Sequence, residues 1–172
     1  NSSALVFLGN KDASTGTGDG TFKNPTRLTV LSQPIGVAVG RFRSGAGQPL
    51  DIAVVGATGV VGKEMVRILG EGRIPVGRLV PVASERSAGR TVSFGGSEIP
   101  VLRIDEPGTR PRWTEGVDLA LFSAGADVSR RYAPVAADAG AVVIDNSSAF
   151  RMEKGVPLVV PEVNASAALD RP

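Results

Sequence analysis

The stretch that decides the fold is DIAVVGATGVVGKEMVRIL, residues 51–69. Residues 52–55 form a continuous apolar run, β-branched at three of four positions, which is typical of a strand buried on both faces. The glycine-rich residues 56–62 follow, and residues 63–69 place their apolar side chains on one helical face. This order of strand, glycine turn and helix predicts the opening unit of an α/β nucleotide-binding fold.

The chain after residue 69 continues the alternation of strands and helices. A helix is predicted over residues 128–139, with Pro134 near its start or at a kink. Strand-like segments occur at residues 79–83, 92–94, 99–102, 119–122, 142–144 and 158–160. Such alternation favours right-handed crossovers, so the predicted fold class is α/β, a doubly wound parallel sheet of the Rossmann type.

Residues 1–48 have a different character, because nothing in them has helical periodicity. The glycine-rich residues 9–20 predict a flexible loop, while residues 27–31 and 35–39 predict short strands separated by a turn. The predicted organisation is therefore a short, loosely ordered β-rich appendage, residues 1–48, followed by an α/β domain over residues 49–172.

The composition excludes several classes of protein. Hydrophobic residues make up 42% and charged residues 21% of the chain, as in an ordinary folded protein. No apolar run approaches the roughly 18 residues of a membrane span, and no secretion signal is recognisable. The net charge of +2 comes with no long basic run, so neither a membrane nor a nucleic acid is expected as a partner.

The chain contains no cysteine and no histidine. Their absence removes disulfides, the commonest zinc ligands and the commonest nucleophile–base pairs. We therefore predict neither a metal site nor a catalytic residue within this chain.

The glycine turn predicts a site for a pyrophosphate group. Gly56 permits the tight turn after the strand, Gly59 lets a ligand approach the backbone, and Gly62 lets the helix pack closely. Free N–H groups at the start of the helix, helped by the helix dipole, then face the anion. The spacing is Gly-x-x-Gly-x-x-Gly rather than the commoner Gly-x-Gly-x-x-Gly, and a purely structural turn is the alternative.

The residues after the second predicted strand of this domain indicate which dinucleotide is bound. An acidic residue there accepts the ribose hydroxyls of NAD, whereas an arginine accommodates the 2′-phosphate of NADP. The sequence here is Ser84-Glu85-Arg86-Ser87, in which serines flank the acid–arginine pair and Glu85 can point away. The segment favours NADP, and an ordinary surface charge is the alternative interpretation of Arg86.

Two further polar segments follow strands of the predicted sheet. Asn146 and Arg151 belong to the segment DNSSAFR, residues 145–151. Ligands bind at the carboxyl ends of strands in such sheets, and an arginine can grip an anionic group, so this loop is predicted to face the substrate. The residues predicted to contact the cofactor after a neighbouring strand are Ser123, Ala124 and Gly125.

Together these motifs resemble the N-terminal NADP-binding domain of aspartate-semialdehyde dehydrogenases. The resemblance covers residues 51–164 and runs through GATGVVGKEMVRIL, GRLVPVASERSAGRTVSFGG, ALFSAGADVSRRYAP, AGAVVIDNSSAFRM and VPLVVPEVN. It implies that Arg151 binds the phosphate of the substrate. The NADP site that it implies consists of Thr58, Gly59, Val60, Val61, Arg86 and Ser87.

The resemblance also implies an activity. The family reduces aspartyl 4-phosphate to the semialdehyde with NADPH in the cytoplasm, on the route to lysine, threonine and methionine, and works as a homo-oligomer. Its nucleophile is a cysteine shortly after the segment VPLVVPEVN, and a histidine follows as the acid–base group. Because this chain has neither, we expect the catalytic and dimerisation domain to be missing and the chain to be inactive alone.

Residues 4–55 resemble a different family, the FG-GAP or VCBS-type repeat of β-propellers, through LVFLGN, GDGTFKNPTRLTV, GVAVGRF and QPLDIAVV. Arg41, Arg43 and Ala46 stand where that pattern has calcium-binding aspartates, so calcium binding is not expected. The two resemblances overlap at residues 51–55, which suggests a chimera joined at that strand.

Two alternative functions remain open on the sequence. A secreted β-propeller repeat or adhesion module would be favoured by intact calcium ligands and further repeats, which this sequence lacks. A fragment of an acetylglutamyl-phosphate reductase would share the glycine turn but not the DNSSAFR segment.

Overall fold

The structure, a computed structural model, describes residues 3–6, 9–11, 18–22, 26–29, 35–37, 49–87, 89–105 and 111–169, with side chains from residue 49 onward. The strands are β1 (Ser3–Val6), β2 (Gly9–Lys11), β3 (Gly18–Phe22), β4 (Thr26–Thr29), β5 (Ile35–Val37), β6 (Leu50–Val55), β7 (Val76–Ala83), β8 (Thr91–Phe94), β9 (Ser97–Pro100), β10 (Leu102–Arg103), β11 (Leu119–Phe122), β12 (Val142–Asp145) and β13 (Leu158–Val159). The α-helices are α1 (Val60–Leu69), α2 (Ala126–Asp138) and α3 (Pro161–Asn164). Single 3₁₀ turns lie at Glu85–Ser87, Arg112–Thr114 and Ala165–Leu169.

Seven strands form the main sheet, in the order β10-β7-β6-β11-β12-β5-β13. The first five of these run parallel to one another. The chain passes from β6 through α1 to β7 on one side, and β11 then lies on the other side of β6. The connection order therefore reverses between β6 and β11, and the predicted α/β, doubly wound architecture is confirmed.

The central strand β6 separates two layers of hydrophobic core. Ile52 and Val54 pack with the apolar side chains of α1 on one face, while Ala53 and Val55 pack with those of α2 on the other. All four side chains are completely buried. This explains why residues 52–55 are apolar without alternation. Burial of each of the larger side chains contributes roughly 1.5–3 kcal/mol to the stability of the folded domain.

Helix α2 begins two residues before the predicted start and contains Pro134 in its interior rather than near its beginning. A proline there has no N–H to offer the carbonyl of Arg130, one turn earlier. Pro134 is exposed, so water can satisfy that carbonyl, and the helix continues to Asp138.

The backbone described before residue 49 forms short antiparallel pairs. β1 pairs with β4, and β2 pairs with β3. The prediction of a flexible loop over residues 9–20 was wrong for residues 9–11 and 18–20, since main-chain pairing needs no side chain and glycine does not prevent it. Residues 12–17 of that prediction lie outside the described part of the chain.

Strand β5 is a member of the main sheet, antiparallel to both β12 and β13. Gly36 is opposite Asp145 on one side and Leu158 on the other. The boundary proposed after residue 48 stays a prediction, and a truncation there would remove one strand of the sheet.

Within the described residues, no helix combines the length and the apolar character that crossing a membrane requires. Among the helices of the described part of the chain, α2 is the longest, with 13 residues.

Candidate dinucleotide-binding site

The candidate site lies at the carboxyl edge of the parallel strands. Because β7, β6, β11 and β12 run in the same direction, the loops that follow them leave the sheet at one edge. The reversal of connection order between β6 and β11 opens a crevice at this edge, which is where α/β sheets of this kind bind ligands. All the predicted binding residues belong to these four loops or to the first turn of α1.

The glycine turn after β6 is packed so tightly that two of its positions must be glycine. Gly56 has φ +90°, and a Cβ there would lie 2.9 Å from the carbonyl oxygen of Ser123. A Cβ at Gly62 would lie 2.1 Å from the carbonyl oxygen of Gly56. Real Cβ atoms do not approach an oxygen so closely, so Gly62 brings the first turn of α1 directly onto the glycine turn.

Helix α1 presents free backbone donors at its N-terminus. The first helical hydrogen bond runs from the amide of Lys63 to the carbonyl of Gly59, at 2.9 Å. The amides of Val60, Val61 and Gly62 come before it and have no acceptor within the helix. No side chain caps the helix, and no acidic residue lies in its first turn. Its N-terminus is thus available to an anion from outside, and the helix dipole favours negative charge there.

A cleft of about 260 Å³ opens beside this turn. Five of the predicted residues line it, namely Gly56, Thr58, Gly59, Ser123 and Ala124. Ser84, one of the two serines that flank Glu85 and Arg86, also lines it, and four further lining residues were not predicted, namely Val55, Ala83, Ile104 and Val128. Val55 and Ala83 could have been predicted, because each is the last residue of a strand that ends at this edge. Ile104 and Val128 could not, because only the order of strands in the sheet brings them to the same crevice.

The turn Glu85–Ser87 joins the glycine loop through two hydroxyl groups. Thr58 Oγ1 and Ser87 Oγ are 3.0 Å apart, and Ser87 is only 7% exposed. Arg86, by contrast, is exposed, and within the described residues it has neither a hydrogen bond nor an ion pair. Glu85 forms an ion pair of 3.2 Å with Arg103 rather than with Arg86. The guanidinium group of Arg86 is therefore free, one residue away from the hydroxyl that contacts the glycine loop, although Arg86 is not among the residues that line the cleft.

Ser123, Ala124 and Gly125 connect β11 to α2 across the crevice. The amide of Ser123 donates to the carbonyl of Val55 at 2.8 Å, which ties this loop to the end of β6. Gly125 has φ +94° and begins α2, again without a capping side chain. A second set of helical amides thus faces the carboxyl edge, although α2 carries Asp127 in its first turn.

The loop after β12 is held by a buried carboxylate that sequence reasoning did not single out. Asp145 is 4% exposed and accepts hydrogen bonds from the hydroxyl of Ser129 at 2.9 Å and from the amide and hydroxyl of Ser147 at 2.8 and 2.7 Å. Ser129 lies on α2 and is completely buried, so the bond fixes the loop to the helix. An acidic residue ending an apolar strand is the signal that could have identified this anchor.

Arg151 and Asn146 lie at the same edge but do not line the cleft. The amide of Asn146 donates to the carbonyl of Phe122 at 2.9 Å, next to the start of the 123–125 loop. Arg151 donates through Nε to the carbonyl of Ser147 at 3.0 Å and through Nη2 to that of Asn146 at 3.2 Å. These bonds hold the guanidinium group over its own loop and leave its remaining N–H groups for another acceptor.

A second cavity of about 140 Å³ lies between α2 and the loop after β12. Its lining is apolar except for Asp145, which is already hydrogen-bonded. Among the described residues, no group of three or more carboxylates could hold a metal ion. The polar chemistry of this edge thus concentrates on the glycine loop, the Glu85–Ser87 turn and the Asn146–Arg151 loop.

Comparison with known proteins agrees with this geometry. Residues 51–170 match the family described as semialdehyde dehydrogenase, NAD binding domain. An aspartate-semialdehyde dehydrogenase from Shewanella violacea is 48% identical over 123 residues, which are 72% of this chain and 35% of that protein. The chain thus spans about a third of the length of the curated relatives that it matches.

Two solved structures show the same fold. Aspartate semialdehyde dehydrogenase II complexed with ASA from Vibrio cholerae superimposes with a TM-score of 0.65 at 46% identity, over 72% of this chain and 39% of that chain. Aspartate semialdehyde dehydrogenase with NADP from Candida albicans gives a TM-score of 0.55 at 29% identity, over 68% and 35% of the two chains. The match begins at residue 51, where β6 leads into the glycine turn, and the chain belongs to the family of semialdehyde dehydrogenase NAD-binding domains.

Proposed function

We propose that this chain is the NADP-binding domain of an aspartate-semialdehyde dehydrogenase-like oxidoreductase. The observation that carries the proposal is the uncapped N-terminus of α1 behind a turn that must be glycine at Gly56 and Gly62, joined through Ser87 to the turn that carries Arg86. The helix amides suit a pyrophosphate, and an arginine after the second strand suits a 2′-phosphate.

The proposed cofactor site divides into three parts. Gly56, Thr58, Gly59, Val60, Val61 and Gly62 hold the pyrophosphate, Arg86 and Ser87 hold the 2′-phosphate, and Ser123, Ala124 and Gly125 border the far side of the crevice. The bond between Thr58 and Ser87 supports this division, since it joins the glycine turn to the turn that carries Arg86. The nicotinamide would then lie towards β11 and β12, at the loop that carries Asn146 and Arg151.

In the complete enzyme, Arg151 and Asn146 would bind the phosphate of aspartyl 4-phosphate. Arg151 suits this role because its loop is anchored through Asp145, and two backbone bonds already orient its guanidinium group. An oriented guanidinium group loses less entropy when it binds a phosphate. The cytoplasmic location and the homo-oligomeric state implied by the family resemblance belong to the same proposal, with the catalytic and dimerisation parts lying outside this chain.

Residues 4–55 are proposed separately as a fragment of an FG-GAP-type β-propeller repeat. The described antiparallel pairs β1–β4 and β2–β3 suit a blade of short antiparallel strands. The family match to residues 51–170 does not include these strands.

The cofactor proposal can be tested with the fluorescence of Trp113, the only tryptophan of the chain. Its ring is buried, and its Nε1 donates to the carbonyl of Ile104, a residue that lines the cleft. Titration with NADP and NAD should show tighter binding of NADP, and Arg86→Ala should remove the preference. Loss of a charge-assisted hydrogen bond is worth roughly 1.5–3 kcal/mol, or about one to two decades in Kd.

Arg73→Ala is the matched control for this experiment. Arg73 is similarly exposed but lies between α1 and β7, at the opposite edge of the sheet, so its removal should leave both affinities unchanged. Equal affinity of the unaltered chain for the two cofactors, or an Arg86→Ala variant that keeps the preference, would refute the assignment of the 2′-phosphate site.

A further inference from the structure

The chain carries an acid and an arginine in consecutive positions at the site that selects the cofactor. Glu85 is the residue type that accepts ribose hydroxyls in NAD-binding domains, and Arg86 is the type that binds the 2′-phosphate of NADP. A carboxylate free to move beside Arg86 would pair with it and repel the phosphate. Something must therefore hold Glu85 away if Arg86 is to serve as the phosphate ligand.

Arg103 occupies the position from which it can do so. It ends β10, which runs beside β7 with Arg103 opposite Ala83, the last residue of β7. Its Nη1 lies 3.2 Å from Oε1 of Glu85, while its Nε lies 3.3 Å from Oδ1 of Asp105. The guanidinium group thus joins the two carboxylates and draws Glu85 towards the outer edge of the sheet.

The charges support this arrangement. Hydrogen bonds from Arg103 lower the pKa of Asp105, and the positive charges of Arg103 and Arg131 act in the same direction. Arg103 therefore joins Glu85 to a carboxylate that a second arginine, Arg131, also faces. Without Arg103, the carboxylate of Glu85 would lose its ion-pair partner directly beside the predicted position of a phosphate.

We propose that Arg103 is a positioning residue that sets the preference for NADP by holding Glu85 off Arg86. The inference rests on the proposed function, since it needs Arg86 to bind the 2′-phosphate. Arg103 itself does not contact the cofactor in this arrangement. Its effect passes through Glu85, and removing the carboxylate makes Arg103 dispensable.

The test compares Arg103→Ala, Glu85→Gln and the double variant in the full 172-residue chain, with Kd measured for NADP and for NAD. Arg103→Ala should lower the preference for NADP, expressed as the Kd for NAD divided by the Kd for NADP, about fivefold. This is the effect of one unit charge a few ångströms from the phosphate in water. NAD affinity should stay constant or improve. Glu85→Gln alone should leave this ratio at the value of the unaltered chain. The double variant should recover the ratio that Arg103→Ala alone loses.

Arg67→Ala is a matched control, because Arg67 also joins two carboxylates, those of Glu64 and Glu71, but on the outer surface of α1. It should leave the ratio unchanged. The ion pair between Glu85 and Arg103 is exposed, so thermal unfolding of Arg103→Ala should match that of the Arg67 variant.

Three results would overturn the inference: an unchanged ratio in Arg103→Ala, an equal loss of affinity for both cofactors, or no recovery in the double variant. If Arg86→Ala abolishes the preference while Arg103→Ala leaves it intact, the proposed function stands and the role of Arg103 falls. If the unaltered chain shows no preference and Arg86→Ala changes nothing, both fall together.

Discussion

Replacing Gly62 by alanine should destabilise the domain, although Gly62 lies inside a helix. On helix propensity alone, alanine is better than glycine by roughly 0.5–1 kcal/mol. The packing opposes this gain, because the added Cβ would lie 2.1 Å from the carbonyl oxygen of Gly56, 2.7 Å from its carbon and 2.8 Å from Cα of Ala57. All three are backbone atoms, so no side-chain rotation can relieve the contact.

The helix must therefore move away from the turn by about 1 Å, or the turn must deform. Gly56 cannot yield easily, because it is itself packed against the carbonyl of Ser123. We expect the free energy of unfolding to fall by about 3 kcal/mol, which is the upper part of the range for overpacked cores. For a domain of this size, that corresponds to a fall in Tm of roughly 10 °C. Dinucleotide affinity should fall as well, since the amides of the first turn move with the helix.

The assay is thermal unfolding followed by circular dichroism, together with cofactor titration. The matched control is Gly70→Ala, at the other end of the same helix, where φ is −67° and an added Cβ would come no closer than 3.2 Å to another atom, the carbonyl oxygen of Arg67. Its Tm should stay constant or rise slightly, because alanine accepts this conformation and has less freedom when unfolded. A Gly62→Ala variant that melts within about 2 °C of the unaltered chain would refute the packing argument.

Three further predictions follow from other parts of the molecule. Ser129→Ala should lower the free energy of unfolding in urea by about 1–3 kcal/mol, because buried Asp145 loses a donor, while exposed Ser148→Ala should not. A chain without residues 1–48 should still fold and bind NADP, and failure to fold would disprove the boundary. Amides of β12 should exchange faster with deuterium in this shorter chain, because their strand no longer pairs with β5. With aspartate semialdehyde, phosphate and NADP, the 172-residue chain should form no NADPH, since it contains no cysteine to form the acyl intermediate, and NADPH formation proportional to the chain would contradict this.

Much of the fold was predictable because the decisive signals are local. Residues 52–55 are apolar without interruption, which only a strand buried on both faces requires, and the structure buries all four completely. The glycines after them mark a turn whose geometry few other residues can adopt. Helix boundaries were less accurate, and of the two positions predicted for Pro134 the one near the start of α2 was wrong. A proline on an exposed helix face costs less because water can replace the lost hydrogen bond.

The pairing of the antiparallel strands was beyond the reach of sequence patterns, although the strands predicted at residues 27–31 and 35–39 were confirmed in part, as Thr26–Thr29 and Ile35–Val37. β5 has only three residues, and nothing in them indicates that they pair with β12 and β13 rather than with a neighbour in sequence. Pairing between distant short strands is decided by which edge is free in the folded sheet, and no local pattern contains that information.

For the candidate site, the sequence by itself supplied the chemical groups: the glycine turn, the guanidinium groups of Arg86 and Arg151, and the absence of cysteine and histidine. Only the tertiary structure decided how these groups are held. It set the 3.0 Å contact between Thr58 and Ser87 and the ion pair that takes Glu85 away from Arg86. The physical reason is distance along the chain: a turn is governed by its own few residues, whereas a contact across the sheet depends on the order and register of strands far apart in sequence.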